Sequence, residues 1–588
     1  MKTLRALAMS AILSVSLVVA TACGGGDSTS PTPNPNPNPN PNPNPGPAAV
    51  ASVQVTPAVG SVDVGATIAL NALARDAQSN VLSGRAVSFT SNAPQIAAVD
   101  ANGVVTGVAV GVAQIVATSE GQSANAAITV RPLIASVEIT GALDTLEAYD
   151  VRTLVATARD AAGQPIPGVV FNWNSSNALV ADVGATSGVV TGVDRGTVSI
   201  TAQAGGKSHS VTRVVVIKYR SLALGTQHAC NIASGGIAWC WGLNGTDARL
   251  GVEQVGDGLY RSSPVRVPGD HRFVQLVTFA RFTCGLRVDA KAYCWGNNGW
   301  GTLGSGSNVG YSANPLPLAG NIAFAKLSAG ADHACGVTAA NATYCWGHND
   351  WGQFGIGNTT SPAVPVLAVN GLTLHSIAAG PAFSCGIAVS GAAYCWGANG
   401  LGQTGEGTQI SYGNTFRNTP MPVAGNLTFA FISPGYQFSC GLTTDALAYC
   451  WGSNGGRLGN GATADASSPR AVAGGRTYTQ IASGFGHSCA VATVGDLYCW
   501  GSNVYGQLGT GGAFSYSPVL SAGGLKVAEV EVAGIGTGSG SFTCAISKDR
   551  LTTYCWGRNE FGQLGNGTTS LATAVNATPT IVVGQKPL

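Results

Sequence analysis

Charge is scarce in this chain. Asp, Glu, Lys and Arg make up 10% of its 588 residues, and 29 basic against 27 acidic side chains leave a formal net charge of +2. That near-balance gives no electrostatic reason to expect nucleic acid or an acidic partner. Histidine is also rare, at seven residues. The signatures of several chemistries are missing: His-Glu-x-x-His, a phosphate-cradling glycine loop, and an acid-rich calcium loop. Cysteines two to four residues apart, as structural zinc requires, do not occur. No Gly-x-Ser-x-Gly stands in a strand-to-helix context, and no carboxylate pair for glycoside hydrolysis can be picked out. The expectation is a protein that is not an enzyme, with no metal and no cofactor. What is abundant is glycine, 82 residues, which weakens helix interiors and suits β structure with many tight turns.

The N-terminus reads as an export signal. Lys2 and Arg5 precede an apolar run from Ala6 to Ala20, which ends in Ala20-Thr21-Ala22-Cys23. The run is short for a membrane span, which needs about 20 residues. Cys23 after small residues resembles a bacterial lipobox, with Ala20 where leucine is usual. That resemblance implies a signal peptide over 1–22 and lipid on Cys23. Gly24 in place of aspartate implies, by similarity to Gram-negative lipoproteins, an outer-membrane or cell-surface address. The rest of 23–49 is a linker. From Ser28 to Pro47 it is rich in Ser, Thr and Pro and then repeats Pro-Asn. Such a chain is extended and semi-rigid, at about 3.1 Å per residue.

Residues 50–131 and 133–217 form a tandem repeat. Each opens on an alternating strand, Ser52-Val53-Gln54-Val55-Thr56 and Ser136-Val137-Glu138-Ile139-Thr140, and each carries Gly-Val-Val-Thr-Gly-Val, at 103–108 and 188–193. Short alternating strands separated by turn residues predict a β-sandwich. With the segment Phe171-Asn172-Trp173-Asn174-Ser175-Ser176, the pattern resembles bacterial immunoglobulin-like domains of group 2. Such modules act as spacers or adhesive elements. A spacer role is expected here, because no charged or aromatic cluster stands out.

The remainder, 218–588, repeats every 49–56 residues around Tyr-Cys-Trp-Gly-x-Asn followed by Gly-Gln-Leu-Gly, with variations between copies. Its cysteines fall in pairs: Cys230 with Cys240, Cys284 with Cys294, Cys335 with Cys345, Cys385 with Cys395, Cys440 with Cys450, Cys489 with Cys499, and Cys544 with Cys555. Six pairs are 10 apart and the last 11. β-prone runs flank short centres such as Ser390-Gly391, which predicts β-hairpins. An even separation across a three-residue loop puts two residues directly opposite, close enough for a disulfide. Seven intra-hairpin disulfides are therefore expected, each adding roughly 2–3 kcal/mol by loop closure. Hairpins recurring at this period suggest propeller blades. The predicted fold is all-β: two immunoglobulin-like sandwiches followed by a seven-bladed β-propeller.

The segments Gly-His-Ser-Cys (486–489), Leu-Tyr-Cys-Trp-Gly-Ser-Asn (497–503) and Gly-Gln-Leu-Gly (506–509, again at 562–565) make the propeller resemble the regulator of chromosome condensation family. Most repeated residues read as structural. The tryptophans Trp241, Trp295, Trp346, Trp396, Trp451, Trp500 and Trp556 are expected between blades, and the asparagines three residues after each are expected to cap turns. His228, His333 and His487 share a column with Phe282, Phe383, Phe438 and Phe542, so that column is a packing position.

Candidate binding residues lie after Gly-Gln-Leu-Gly, in what reads as loops on one rim: Tyr260, Arg261, Tyr311, Tyr412, Phe416, Arg417, Phe514 and Tyr516. Tyrosine and arginine are enriched in binding hot spots. The resemblance includes a secreted branch that inhibits β-lactamase through one propeller face, which implies a protein partner at the envelope or outside the cell. Carbohydrate binding is the alternative. Guanine-nucleotide exchange, the namesake's activity, fits poorly. The export signal removes the chain from GTP and DNA, and steps of only 39–45 residues from one hairpin's second cysteine to the next hairpin's first leave no room for a large catalytic wedge.

Overall fold

The structure is a computed structural model and describes residues 48–141, 145–253, 255–307, 309–408, 415–533 and 541–583. The expected signal peptide, Cys23, the Pro-Asn repeat and Tyr412 lie outside the described residues. Among the described residues every regular element is a strand or a short 3-10 turn. The chain divides into two compact units, 1–132 and 133–588.

In the first unit, alternation works as the sequence implies. Ser52–Thr56 buries Val53 and Val55, exposes their neighbours, and pairs antiparallel with Asn71–Arg75. A four-stranded sheet runs in the order Val59–Asp63, Gln122–Arg131, Gly111–Ser119, Ser88–Ser91. A three-stranded sheet follows Thr67–Ala69, Val104–Gly107, Ala97–Val99. Val105, Ala113, Ile115 and Ile128 fill the space between them.

The second unit begins with the same arrangement strand for strand, from Ser136–Thr140 to Lys207–Val216. The shared Gly-Val-Val-Thr-Gly-Val has a packing cause. Gly103 and Gly188 both have positive φ, and a Cβ on them would lie within 3 Å of a core ring, Phe89 or Trp173. Only glycine fits there.

After Ile217 and Lys218 the propeller begins. The described residues form seven four-stranded antiparallel sheets, each a meander in chain order from the inner strand outward. The fourth, for example, is Leu374–Ala379, Phe383–Ala388, Ala393–Ala398 and Phe416–Pro422. The second and third strands are the predicted hairpins, and every expected cysteine pair is directly opposed across one of them. The disulfides join Cys230 to Cys240, Cys284 to Cys294, Cys335 to Cys345, Cys385 to Cys395, Cys440 to Cys450, Cys489 to Cys499, and Cys544 to Cys555. Their Cα atoms lie 4.0–4.1 Å apart, a close approach that directly opposed positions permit.

The blades interlock through the repeated tryptophans, all of them at 0% exposure. Six donate Nε1–H to a carbonyl of the preceding blade, as Trp396 does to Gln353 at 2.8 Å. Trp295 is equally buried, but its N–H has no acceptor among the described residues. The ring closes because Trp241 of blade one reaches Gln563 of blade seven at 2.9 Å. At the same seam the Glu529 carboxylate accepts from the Leu222 N–H at 2.7 Å and pairs with Arg550. Every described blade takes its strands from one stretch of chain, so side chains and isolated backbone bonds, such as Tyr219 N–H to Arg550 O at 2.8 Å, close the seam in place of a shared strand.

The His/Phe column is buried throughout, as a packing position must be. It also carries a polar contact that periodicity does not reveal. His228, His333 and His487 each place Nε2 against a hydroxyl of the next blade: Thr283 at 3.1 Å, Ser384 at 3.0 Å and Thr543 at 2.8 Å. Burial holds all three rings well below the usual imidazole range, His333 and His487 to about 3.

Candidate recognition surface at the loop end

A meander sends its strand 1–2 and strand 3–4 connections to one end of the ring and its hairpins to the other. The loop end is stiffened by two repeated devices. First, each 1–2 loop accepts from the start of a 3–4 loop, as in Asn297 N–H to Arg281 O at 3.0 Å and His348 N–H to Asp332 O at 2.8 Å. Second, every repeat asparagine folds its amide into the 3–4 turn. Asn503 Oδ1 accepts from Leu508 N–H at 2.8 Å while its amide donates to the Thr510 and Gly512 carbonyls. The predicted caps are therefore present.

The residue just before Gly-Gln-Leu-Gly stands on this frame. In the blades it is Asp247, Trp300, Trp351, Leu401, Gly455, Tyr505 and Phe561. Where glutamine follows, its Oε1 accepts from the N–H of that residue, at 2.9 Å for Trp351, Leu401 and Tyr505 and 2.7 Å for Phe561. The large side chains are thus held in place yet partly open to water; Trp300 is 51% exposed. Trp300 packs on His348 with centroids 4.4 Å apart and planes tilted by 30°, and His348 Nε2 lies 3.0 Å from Asp350. Tyr436 and Phe485, equivalent residues of adjacent blades, pack at 4.7 Å with their rings tilted by 41°. Arg558 lies over Tyr505 and donates to its hydroxyl at 3.2 Å. Burial raises the Asp332 carboxyl against the pull of His348 and Arg281. A cavity of about 410 Å³ opens between Trp351, Leu401, Tyr436 and Gln437. Such rigidly mounted Trp, Tyr and Arg suit a hot-spot surface.

The residues proposed from sequence stand at the outer edge of this same end. Tyr260, Tyr311, Phe416 and Phe514 open fourth strands, at equivalent positions opposite Leu243, Asn297, Ala398 and Ser502. They are strand residues rather than loop residues. In these blades a register shift at the repeat glycine lets the fourth strand keep pairing beyond it. They share a rim but belong to blades one, two, four and six, so only Tyr260 and Tyr311 are on neighbouring blades. Tyr516 packs against Gly456 of blade five. Arg261 donates to the Tyr260 carbonyl at 3.1 Å. Arg417 is committed to an ion pair with Glu406. Burial acts to raise Glu406, but the hydrogen bonds from Arg417, Thr408 and Asn399 outweigh it and lower the carboxyl overall.

The inner strands line a central channel of about 400 Å³. The inner-strand residue opposite each blade's first cysteine is uncharged, as with Ala223, Ser328 and Ala378, except on blade seven, where it is Glu531. Enclosure by protein, and then the nearby Glu529, push its carboxyl up to about 8.

Two repeat models match the propeller under the description regulator of chromosome condensation (RCC1) repeat, over 375–403, 430–456 and 478–507 and over 445–491, 494–545 and 552–586. Residues 375–586 thus carry RCC1 repeats. The bacterial Ig-like domain (group 2) model matches 49–130. The Ultraviolet-B receptor UVR8 of Arabidopsis thaliana is 31% identical over 149 residues, covering 24% of this chain and 33% of the receptor. The chain thus spans about a third of that relative. Human WBSCR16 superposes with a TM-score of 0.50 at 21% identity, over 59% of this chain and 92% of that one, which shows the fold alone. Yeast RCC1 (Prp20), solved bound to Kap60, gives 0.47 at 20% identity over 56% and 81%.

Proposed function

We propose that this RCC1-repeat propeller is a non-catalytic recognition module that takes a protein partner on its loop end. The carrying observation is the frame of capped turns that mounts Trp300, Trp351 and Tyr505, with Tyr436 on an adjoining strand 1–2 loop, all partly open to water. The N-terminal sequence supports an exported chain lipidated at Cys23 and displayed at the envelope, with the first Ig-like domain as a spacer.

The test is capture from envelope and secreted fractions by the mature chain. One variant carries Trp300, Trp351 and Tyr436 changed to Ala; a second carries Tyr260, Tyr311, Phe514 and Tyr516 changed to Ala. Retention by the wild type and the second variant, with loss from the first, supports the loop end. Loss from the second alone moves the site to the fourth-strand starts at the outer edge of that end. Carbohydrate is the second reading, because the cavity pairs the aromatic rings of Trp351 and Tyr436 with the Gln437 amide. Retention on polysaccharide and not on protein would favour it.

A further inference from the structure

The second Ig-like domain meets the propeller through a residue that its own fold does not favour. In the first domain, the turn after strand Val59–Asp63 places Gly65 at φ 85, where a Cβ would point into open space. Its N–H donates to Gly107 O at 2.8 Å, and Ala66 N–H donates to Asp63 O at 2.9 Å. The second domain repeats this turn bond for bond: Tyr149 N–H to Gly192 O at 2.8 Å and Asp150 N–H to Glu147 O at 3.0 Å. Yet the glycine position holds Tyr149, at φ 68. A bulky side chain in the left-handed region is strained, and such strain persists only where surrounding structure compensates it.

The compensation comes from the propeller. Gly235, in the hairpin turn of blade one, lies so close to the Tyr149 ring that a Cβ there would sit 2.6 Å from it. Arg272, after the fourth strand of the same blade, stands 5.0 Å over the ring and donates to Gly235 O at 3.0 Å. Two residues earlier, Glu147 has changed its role as well. Its counterpart Asp63 pairs across the sheet with Arg131 at 3.1 Å. Opposite Glu147 stands Val216, and the carboxylate turns to the propeller, accepting from Ser234 Oγ at 2.9 Å and Arg220 at 2.5 Å. Ser234 Oγ also accepts from Lys218 N–H at 2.8 Å. Ser234 is fully buried, whereas the equivalent hairpin residues Val288 and Val389 are 67% and 64% exposed.

We infer that Tyr149 and Glu147 form a clasp that docks the second Ig-like domain on the hairpin end of blade one. This domain is a fixed pedestal of the propeller rather than a jointed spacer. It occupies the end opposite the proposed recognition surface and leaves that surface free. The inference does not depend on the identity, or the existence, of a partner.

Hydrogen exchange on the mature chain tests it, comparing wild type with the double variant Tyr149→Gly, Glu147→Gln. The glycine restores what the turn favours, so the domain keeps its fold. Segments 218–220 and 234–236 should be protected in the wild type and exchange at least ten-fold faster in the variant, with hairpin 388–392 unchanged as the internal reference. Gly65→Tyr in the first domain, which has no clasp, should lower that domain's own unfolding midpoint. Equal exchange in wild type and variant, or wild-type exchange at 234–236 as fast as at 388–392, overturns the clasp.

Discussion

Replacing His487 with Phe isolates one term in the acid stability of the propeller. His487 is fully buried, its Nε2 is 2.8 Å from Thr543 Oγ1, and burial holds it at about 3. A free histidine titrates near 6.5, so between those values the unfolded chain binds a proton that the folded chain refuses. Stability is fully present above the unfolded value and is lost as the pH falls from about 6.5 toward about 3, by about 1.4 kcal/mol per pH unit. At about pH 4.5 the cost is about 2–3 kcal/mol for His487, and of the same order for His333, whose ring is also held at about 3. Phe already occupies this column in four blades, fully or almost fully buried, so the fold accepts it. Thr543 keeps its bond to the Gln507 carbonyl at 2.8 Å. Denaturant midpoints for wild type and His487→Phe should converge near neutral pH and separate in favour of the variant as the pH falls, by about 2–3 kcal/mol at about pH 4.5. Glu531 acts with the opposite sign. Its carboxyl is raised to about 8, so it destabilises as the pH rises from the ordinary carboxylate range, but it cancels between the two proteins. Parallel pH profiles would refute the assignment of a buried neutral imidazole.

Changing Cys385 and Cys395 together to Ala should cost roughly 2–3 kcal/mol, read as a lower denaturant midpoint, by releasing an 11-residue loop. Thiol counting on the denatured, unreduced mature protein should find the fourteen propeller cysteines bonded. Asn503→Ala removes an acceptor and two donations inside one turn and should lower stability by about 1–3 kcal/mol, with faster hydrogen exchange over 503–513. Glu529→Ala should open the seam between blades one and seven, with exchange rising at 219–224 before it rises in blade four.

What the sequence made legible was what repeats locally. Cysteines ten residues apart, such as Cys284 and Cys294, announced opposed strand positions because a hairpin has only one register for them. The extra residue between Cys544 and Cys555 lengthens the turn and leaves the same opposition intact. The tryptophan and asparagine columns announced blade contacts and caps because seven copies do the same job. The aromatic residues picked out from sequence prove to be strand rather than loop residues for a related reason. Tyr260 and Phe514 stand out as aromatic residues in variable segments, but pairing across the glycine bulge converts those segments into strand. Trp300, Trp351 and Tyr505 sit inside the motif that looked structural. Aligning the repeats on the residue before Gly-Gln-Leu-Gly would have exposed that aromatic column. Tyr436 meets Phe485 only because adjacent blades bring residues 49 apart into contact, which needs the ring itself. Nor does periodicity mark Tyr149. Its signal was a tyrosine standing where the tandem copy has Gly65.

Site-specific photo-crosslinking in cells tests the recognition surface most directly. A photoreactive phenylalanine would replace Trp300 at the loop end, Tyr311 on an outer strand, or Val389 at the hairpin end. The account requires a discrete adduct from position 300 and none from position 389. Adducts from position 389 or 311 alone would contradict it.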